Sequence, residues 1–139
     1  MSQHISTGIM LTRENLTTLV IPPEALRQFT AEASSYLVIF NSRPDNMKIS
    51  IIPCKAKEVL KIVVHLTEFS PQTVKSIADI IYDLRITTVH TSGICFHEKE
   101  CCYEAYVEMQ GSDIMSTIKE RFQKIPQFKA VDIEIIKTS

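Results

Sequence analysis

The sequence predicts an α+β chain in two parts: a small β-rich ββαββ segment over residues 1–54 and a βαββαβ unit over residues 58–139. Three patterns carry this reading. In Val59–Leu66, positions 60, 62, 64 and 66 form an apolar row at the two-residue period of a strand with a buried face. Ser70-Pro71 then turns the chain, and Val74, Ile77, Ala78, Ile81 and Leu84 follow at helical spacing. Earlier, Pro22-Pro23 removes two adjacent backbone donors and stops whatever ladder precedes it.

In the first part, Gly8–Thr12 and Leu16–Ile21 read as short strands, Glu24–Thr30 as a helical turn or two, and Tyr36–Phe40 as a strong strand. Asn41-Ser42-Arg43-Pro44-Asp45-Asn46 is built from turn formers, and Met47–Ile52 returns as a strand closed by Pro53. After the connector Cys54–Glu58 comes the opening strand, then the Ser70-Pro71 corner. Ser is a preferred N-cap, and Pro at the first helical position gives up an N–H that has no partner there. Ile86–Phe96 and Cys101–Met109 read as a hairpin with its tip at His97-Glu98-Lys99-Glu100. Gly111-Ser112 caps a helix with Ile114, Ile118, Phe122 and Ile125 on one face, Pro126 ends it, and Val131, Ile133 and Ile135 alternate with Asp132 and Glu134 in the last strand.

Composition narrows the function classes. The 139 residues are 45% hydrophobic and 22% charged, enough apolar material for a core. A formal net charge of −1 offers no global attraction to phosphate backbones. No apolar run approaches the length of a membrane span and the start carries no signal-peptide pattern, so the expectation is a cytoplasmic protein with no membrane partner. Four Cys in a chain of this length do not make a secreted disulfide framework, and reduced thiols are expected.

The order from Val59 to Ser139, with Glu68-Phe69-Ser70-Pro71-Gln72-Thr73-Val74 at the corner, resembles the ACT domain, a ferredoxin-like regulatory module. Gln72 stands where that family often has Gly, and its Cβ would crowd a ligand approaching the backbone. The resemblance implies a nonenzymatic regulatory protein without a cofactor, a homo-oligomer that binds a small effector, typically an amino acid, between subunits. The implied ligand-binding residues are Ser70, Pro71, Gln72 and Thr73, faced by Thr87 and Thr88 across a dimer interface. The corner's N–H groups suit a carboxylate. Helix capping alone also accounts for Ser70 and Pro71, and a ligand-free oligomerisation module has the same pattern.

Residues 5–53, through Ser6-Thr7-Gly8-Ile9, Leu19-Val20-Ile21-Pro22 and Glu24-Ala25-Leu26-Arg27, resemble an AbrB-type swapped-hairpin domain. That implies dimerisation and a DNA-binding transcription regulator as the alternative function, with Arg13 and Arg27 as weak DNA contacts. Arg13, Arg27, Arg43 and Lys48 balance Glu14, Glu24, Glu32 and Asp45 over this stretch, a net charge of zero that opposes strong DNA binding.

At the hairpin tip, a two-residue turn at Glu98-Lys99 would set Cys95 opposite Cys102 and put Cys95, His97 and Cys102 on one face, weak candidates for a soft metal or a reversible disulfide. Cys101 reads as core, His65 as lying on the polar side of its strand and His90 as inward-facing. Packed thiols are the commoner outcome for such cysteines. A Cys-His nucleophile lacks an oriented base and an anion hole.

Overall fold

The computed structural model describes residues 4–109, 111 and 113–138. The chain forms two compact units. One takes in Val59–Ile135 with the segment ending at Ile5, the other Ser6–Glu58 with the segment from Ile136. The division therefore falls beside the expected connector, while each chain end is grouped with the other part.

In the first unit β4 (Glu58–Leu66), α2 (Pro71–Asp83), β5 (Thr88–His97), β6 (Glu100–Glu108), α3 (Ile114–Phe122) and β7 (Phe128–Lys137) follow in order. The strands form a four-stranded sheet in the order β5-β6-β4-β7. β4 runs antiparallel to β6, from Val59↔Glu108 to Leu66↔Cys101, and β6 is antiparallel to β5. Leu60, Ile62, Val64 and Leu66 of β4 join Cys101, Ala105 and Val107 of β6 in one core with Ile77, Ile80, Ile118 and Phe122 from the helices. The apolar row in the sequence is thus the strand's helix-covered side.

Local chemistry sets the ends of α2. Ser70 Oγ accepts from the Thr73 N–H at 3.3 Å and Pro71 occupies the first turn. At the other end Arg85 takes a left-handed φ of 54°, the Ile86 N–H donates to the Ile81 carbonyl and the Arg85 N–H to that of Tyr82. These two bonds make a Schellman stop without glycine. The stop takes up the Ile86 N–H, and β5 starts at Thr88 rather than Ile86. α3 lacks a side-chain cap bond at Asp113, and Ser112, the expected cap, lies outside the described residues.

The hairpin departs from the expected register. The tip is Glu98-Lys99, with His97 paired to Glu100, but a bulge between Cys95 and His97 moves Cys95 opposite Cys101 and Ile94 opposite Cys102. Cys95 and Cys101 are joined in a disulfide. Cys102 points to the other face, and with Cys54 it keeps a buried thiol. The expectations of reduced thiols throughout, and of a Cys95–Cys102 pair, are corrected by that single extra residue. His90 is likewise not inward: it pairs with Tyr106, on the sheet face opposite the helices.

The second unit is an antiparallel sheet in the order β1-β2-β3, from β1 (Thr7–Leu11), β2 (Ser35–Ser42) and β3 (Met47–Cys54). Between β1 and β2 lie a 3₁₀ segment (Glu14–Thr18) and α1 (Pro23–Gln28). Leu16–Ile21 is therefore not a strand, and the expected ββαββ order is one strand short. Its hydroxyls explain why: Thr17 and Thr18 donate to the carbonyls of Glu14 and Asn15 at 2.8 and 2.7 Å, while Thr12 Oγ1 accepts from the Asn15 N–H at 3.3 Å. Such local bonds compete with a sheet ladder. β3 continues through Pro53, which an edge strand tolerates. Leu16, Tyr36 and Val38 make this unit's core.

Candidate functional site

The corner after β4 is the first candidate. Ser70 Oγ lies 3.0 Å from Thr73 Oγ1 as well as accepting from its N–H, and Thr73 is fully buried. The Ser70 carbonyl accepts from Val74 at 3.0 Å. These groups are engaged within the helix start; Pro71 and Gln72 are exposed.

Immediately before them, Thr67, Glu68 and Phe69 form one wall of a cavity of about 490 Å³, and Cys95, His97, Glu98, Lys99 and Cys101 of the hairpin form the other. The strand order builds this juxtaposition, because Leu66 at the end of β4 is paired with Cys101 at the start of β6. Thr67 is anchored by its N–H to the Gln127 carbonyl at 2.9 Å. Phe69 packs edge-to-face on Tyr103 at 6.2 Å and lies on Gly93, where a Cβ would come within 1.8 Å of its ring. Glycine at 93 is what lets this ring sit flat on β5. Thr88 pairs with Val107, six residues along β6 from Cys101, so Thr87 and Thr88 lie about 20 Å from the corner within one chain. The Thr87 carbonyl accepts from the Glu108 N–H at 3.0 Å.

The second candidate is on the sheet face opposite the helices, where Lys61 is 2% and Glu104 0% exposed. Charged side chains are almost never buried this far unless paired. Lys61 Nζ is 3.9 Å from Glu104 Oε2, 3.0 Å from His4 Nδ1, and 5.9 Å from the centre of the Tyr106 ring. The Ile5 peptide N–H donates to the same Glu104 oxygen. The other nitrogen of the His4 ring, Nε2, faces Asp132. That Nε2 is 3.9 Å from Asp132 Oδ2, which also meets His65 Nε2 at 3.1 Å. Asp132 is thus a hub between two imidazoles.

Cys102 lies opposite His65 in this layer. Burial first, and then the Glu104 carboxylate, push its thiol from 9.0 up to about 12. Its reactivity at neutral pH is thereby suppressed. Burial also raises Tyr103 from 10.0 to about 12. The set Cys95, His97 and Cys102 is dispersed by the disulfide and by the opposite orientation of Cys102, and among the described residues no group of three or more His, Cys, Asp and Glu has metal-holding geometry. Arg13 and Arg27, from distant sequence positions, line one cavity of the second unit.

No protein-family model and no curated protein matches this chain.

Lys61 and Glu104 escaped the sequence reading because alternate polar residues on a strand look solvated. A signal was present in Val59 and Val63, which make β4 apolar on both faces, the pattern of a strand covered on both sides. Replacing Lys61 alone by Met should destabilise the chain by about 3–5 kcal/mol in urea unfolding, because Glu104 keeps its charge in a dry site. The double variant Lys61→Met/Glu104→Leu should recover most of that loss; a double variant as unstable as the single one would contradict the pairing. The raised Cys102 pKa favours the protonated thiol in the folded state. Its contribution is complete below about pH 9 and is lost as pH rises toward 12. The denaturation midpoint should therefore fall over that range, with a shallower slope in Cys102→Ala; equal slopes would contradict the assignment.

Proposed function

We propose that the chain is a regulatory module of the ferredoxin-like, ACT-resembling kind that senses a free amino acid in the corner cavity. The order β4-α2-β5-β6-α3-β7 and the sheet order β5-β6-β4-β7 support the fold reading. That fold hosts many functions, so the site has to carry the argument.

The observation that carries it is the cavity's lining. Lys99 supplies one ammonium, Glu68 and Glu98 two carboxylates, Thr67 and His97 polar groups, and Phe69 with the Cys95–Cys101 disulfide an apolar wall. A zwitterion with a side chain is the small molecule these groups complement: its carboxylate to Lys99, its ammonium to the glutamates, its side chain to the ring and sulfurs. The bound position is then one turn before Ser70, which stays a cap. Ligand binding adds stability by mass action and can bias a regulatory equilibrium only through such differential binding. No step in this reading breaks or forms a covalent bond.

The second reading, an assembly module without ligand, draws on α2 and the edge strand β5. Val74 and Tyr82 are 47% and 83% exposed, beside a groove of about 410 Å³ lined also by Ile77, Ile81, Ile86 and Tyr103. β5 has an open edge with no charged Asp, Glu, Lys or Arg from Thr88 to His97. Such an edge accepts another strand, and a second copy of this chain is the occupant proposed. DNA regulation through Arg13 and Arg27 has no basic tract to support it, and a cytoplasmic setting remains part of the proposal.

Thermal unfolding in the presence of each of the twenty amino acids separates the readings. A sensor gains about 2.7 kcal/mol at a ligand concentration one hundred times its dissociation constant, a rise of several degrees in Tm. Glu68→Gln and Lys99→Gln should abolish that rise and leave the ligand-free Tm unchanged. No shift with any amino acid, in a protein that runs as an oligomer, leaves the assembly reading.

A further inference from the structure

The second unit holds a concavity of about 520 Å³ that the sensing reading does not use. Its volume suits one small ligand. Arg13, Arg27, Phe29, Glu32 and Tyr36 line it, with the chain from Thr30 to Ala33. Pro22-Pro23 starts α1 and so places Arg27 in that helix's last turn. Arg13, ahead of the 3₁₀ segment, sends a guanidinium nitrogen to the Leu26 carbonyl at 3.0 Å. The same guanidinium lies 5.3 Å from the centre of the Phe29 ring and 5.9 Å from that of Tyr36. Those rings pack on each other at 5.8 Å, and the Tyr36 hydroxyl donates to the Ala31 carbonyl at 2.7 Å.

Arg13 is therefore ordered by the protein before any ligand arrives, which removes a cost that a surface arginine meets on binding. A guanidinium has five N–H donors, and Leu26 takes one of Arg13's. Two guanidiniums face the cavity against the single carboxylate of Glu32. Of the four cations in residues 1–53, Arg13 and Arg27 are the two that line this concavity. A simple carboxylate neutralises one of two forks, whereas a phosphate monoester carries charge and oxygens for both.

We propose that this concavity binds a small phosphate-bearing molecule, the phosphate held by Arg13 and Arg27 and an attached planar group stacked against the guanidinium and aromatic surface. Guanidinium planes and aromatic rings both stack on bases, which makes a mononucleotide the fitting class. A nucleic-acid polymer is disfavoured, because it needs many cations along its backbone and this concavity offers two against one carboxylate. The proposal is independent of the corner cavity, which lies in the other unit.

The test is calorimetric titration of the full chain with adenosine 5′-monophosphate, adenosine, inorganic phosphate and sulfate at physiological salt. The monophosphate should bind saturably, inorganic phosphate more weakly, and adenosine not measurably. Arg27→Gln and the charge-conserving Arg13→Lys should each weaken the monophosphate by about tenfold or more, with circular dichroism and Tm unchanged. Absence of saturable binding by either phosphate probe overturns the proposal, as does binding that neither substitution affects. Duplex DNA retention lost in both variants, without any monophosphate binding, would also overturn it and assign the surface to nucleic acid.

Discussion

A strand covered on both faces is the constraint around which the four-stranded unit is arranged. On one face of β4, Leu60, Ile62, Val64 and Leu66 are sealed by the helices. On the other, Val59 and Val63 are as dry as the core, and Lys61 lies between them at 2% exposure. An ammonium in that position demands partners, and the sheet supplies Glu104 from the neighbouring strand while the segment before β1 supplies His4 and the Ile5 N–H. Burying such a pair adds little net stability compared with an apolar substitute. What it does impose is register: a one-residue slip of β6 against β4 would turn Glu104 to the helix side and leave Lys61 unpaired.

That pairing also fixes where the functional candidates fall. With Leu66 held opposite Cys101, the end of β4 is brought to the hairpin tip, and the corner cavity is the space left between them. The bulge at Cys95 matters for the same reason. It turns Cys95 to the side of Cys101, so that the disulfide becomes part of the cavity wall and Cys102 is left in the polar layer beside His65. The hairpin tip thus contributes its charges to the cavity, and the opposite layer keeps a thiol whose ionisation is suppressed by burial.

Much of the four-stranded unit was legible in the sequence because its signals are local. The β4 period, the Ser70-Pro71 start and the Ile77/Ile81 face each need only a few neighbouring residues to be read. The 3₁₀ segment at Glu14–Thr18 was not legible, since β-branched Thr17 and Thr18 read as strand formers while their hydroxyls bond back to the local chain. The Cys95–Cys101 pairing was out of reach for a different reason: a bulge costs one residue of register, and nothing in Cys95-Phe96-His97 announces it. At the corner, the sequence pointed to Ser70 and Thr73, whose groups are taken up by the helix start. Glu68 and Lys99 come to line one cavity only through the hairpin's return, a long-range consequence of strand order. Arg13 and Arg27 were singled out as DNA contacts implied by the AbrB-type resemblance, and their convergence with Phe29 and Tyr36 needed the fold.

The account therefore places recognition at the junction of β4 and the β5–β6 hairpin, and backbone amide mapping of the isotope-labelled chain titrated with a stabilising amino acid tests that placement most directly. The account predicts saturable shifts concentrated at Thr67–Phe69 and His97–Lys99, with the Lys61 and Glu104 amides unmoved. Shifts centred on the β5 edge and α2, or no saturable shift with any amino acid, would contradict it.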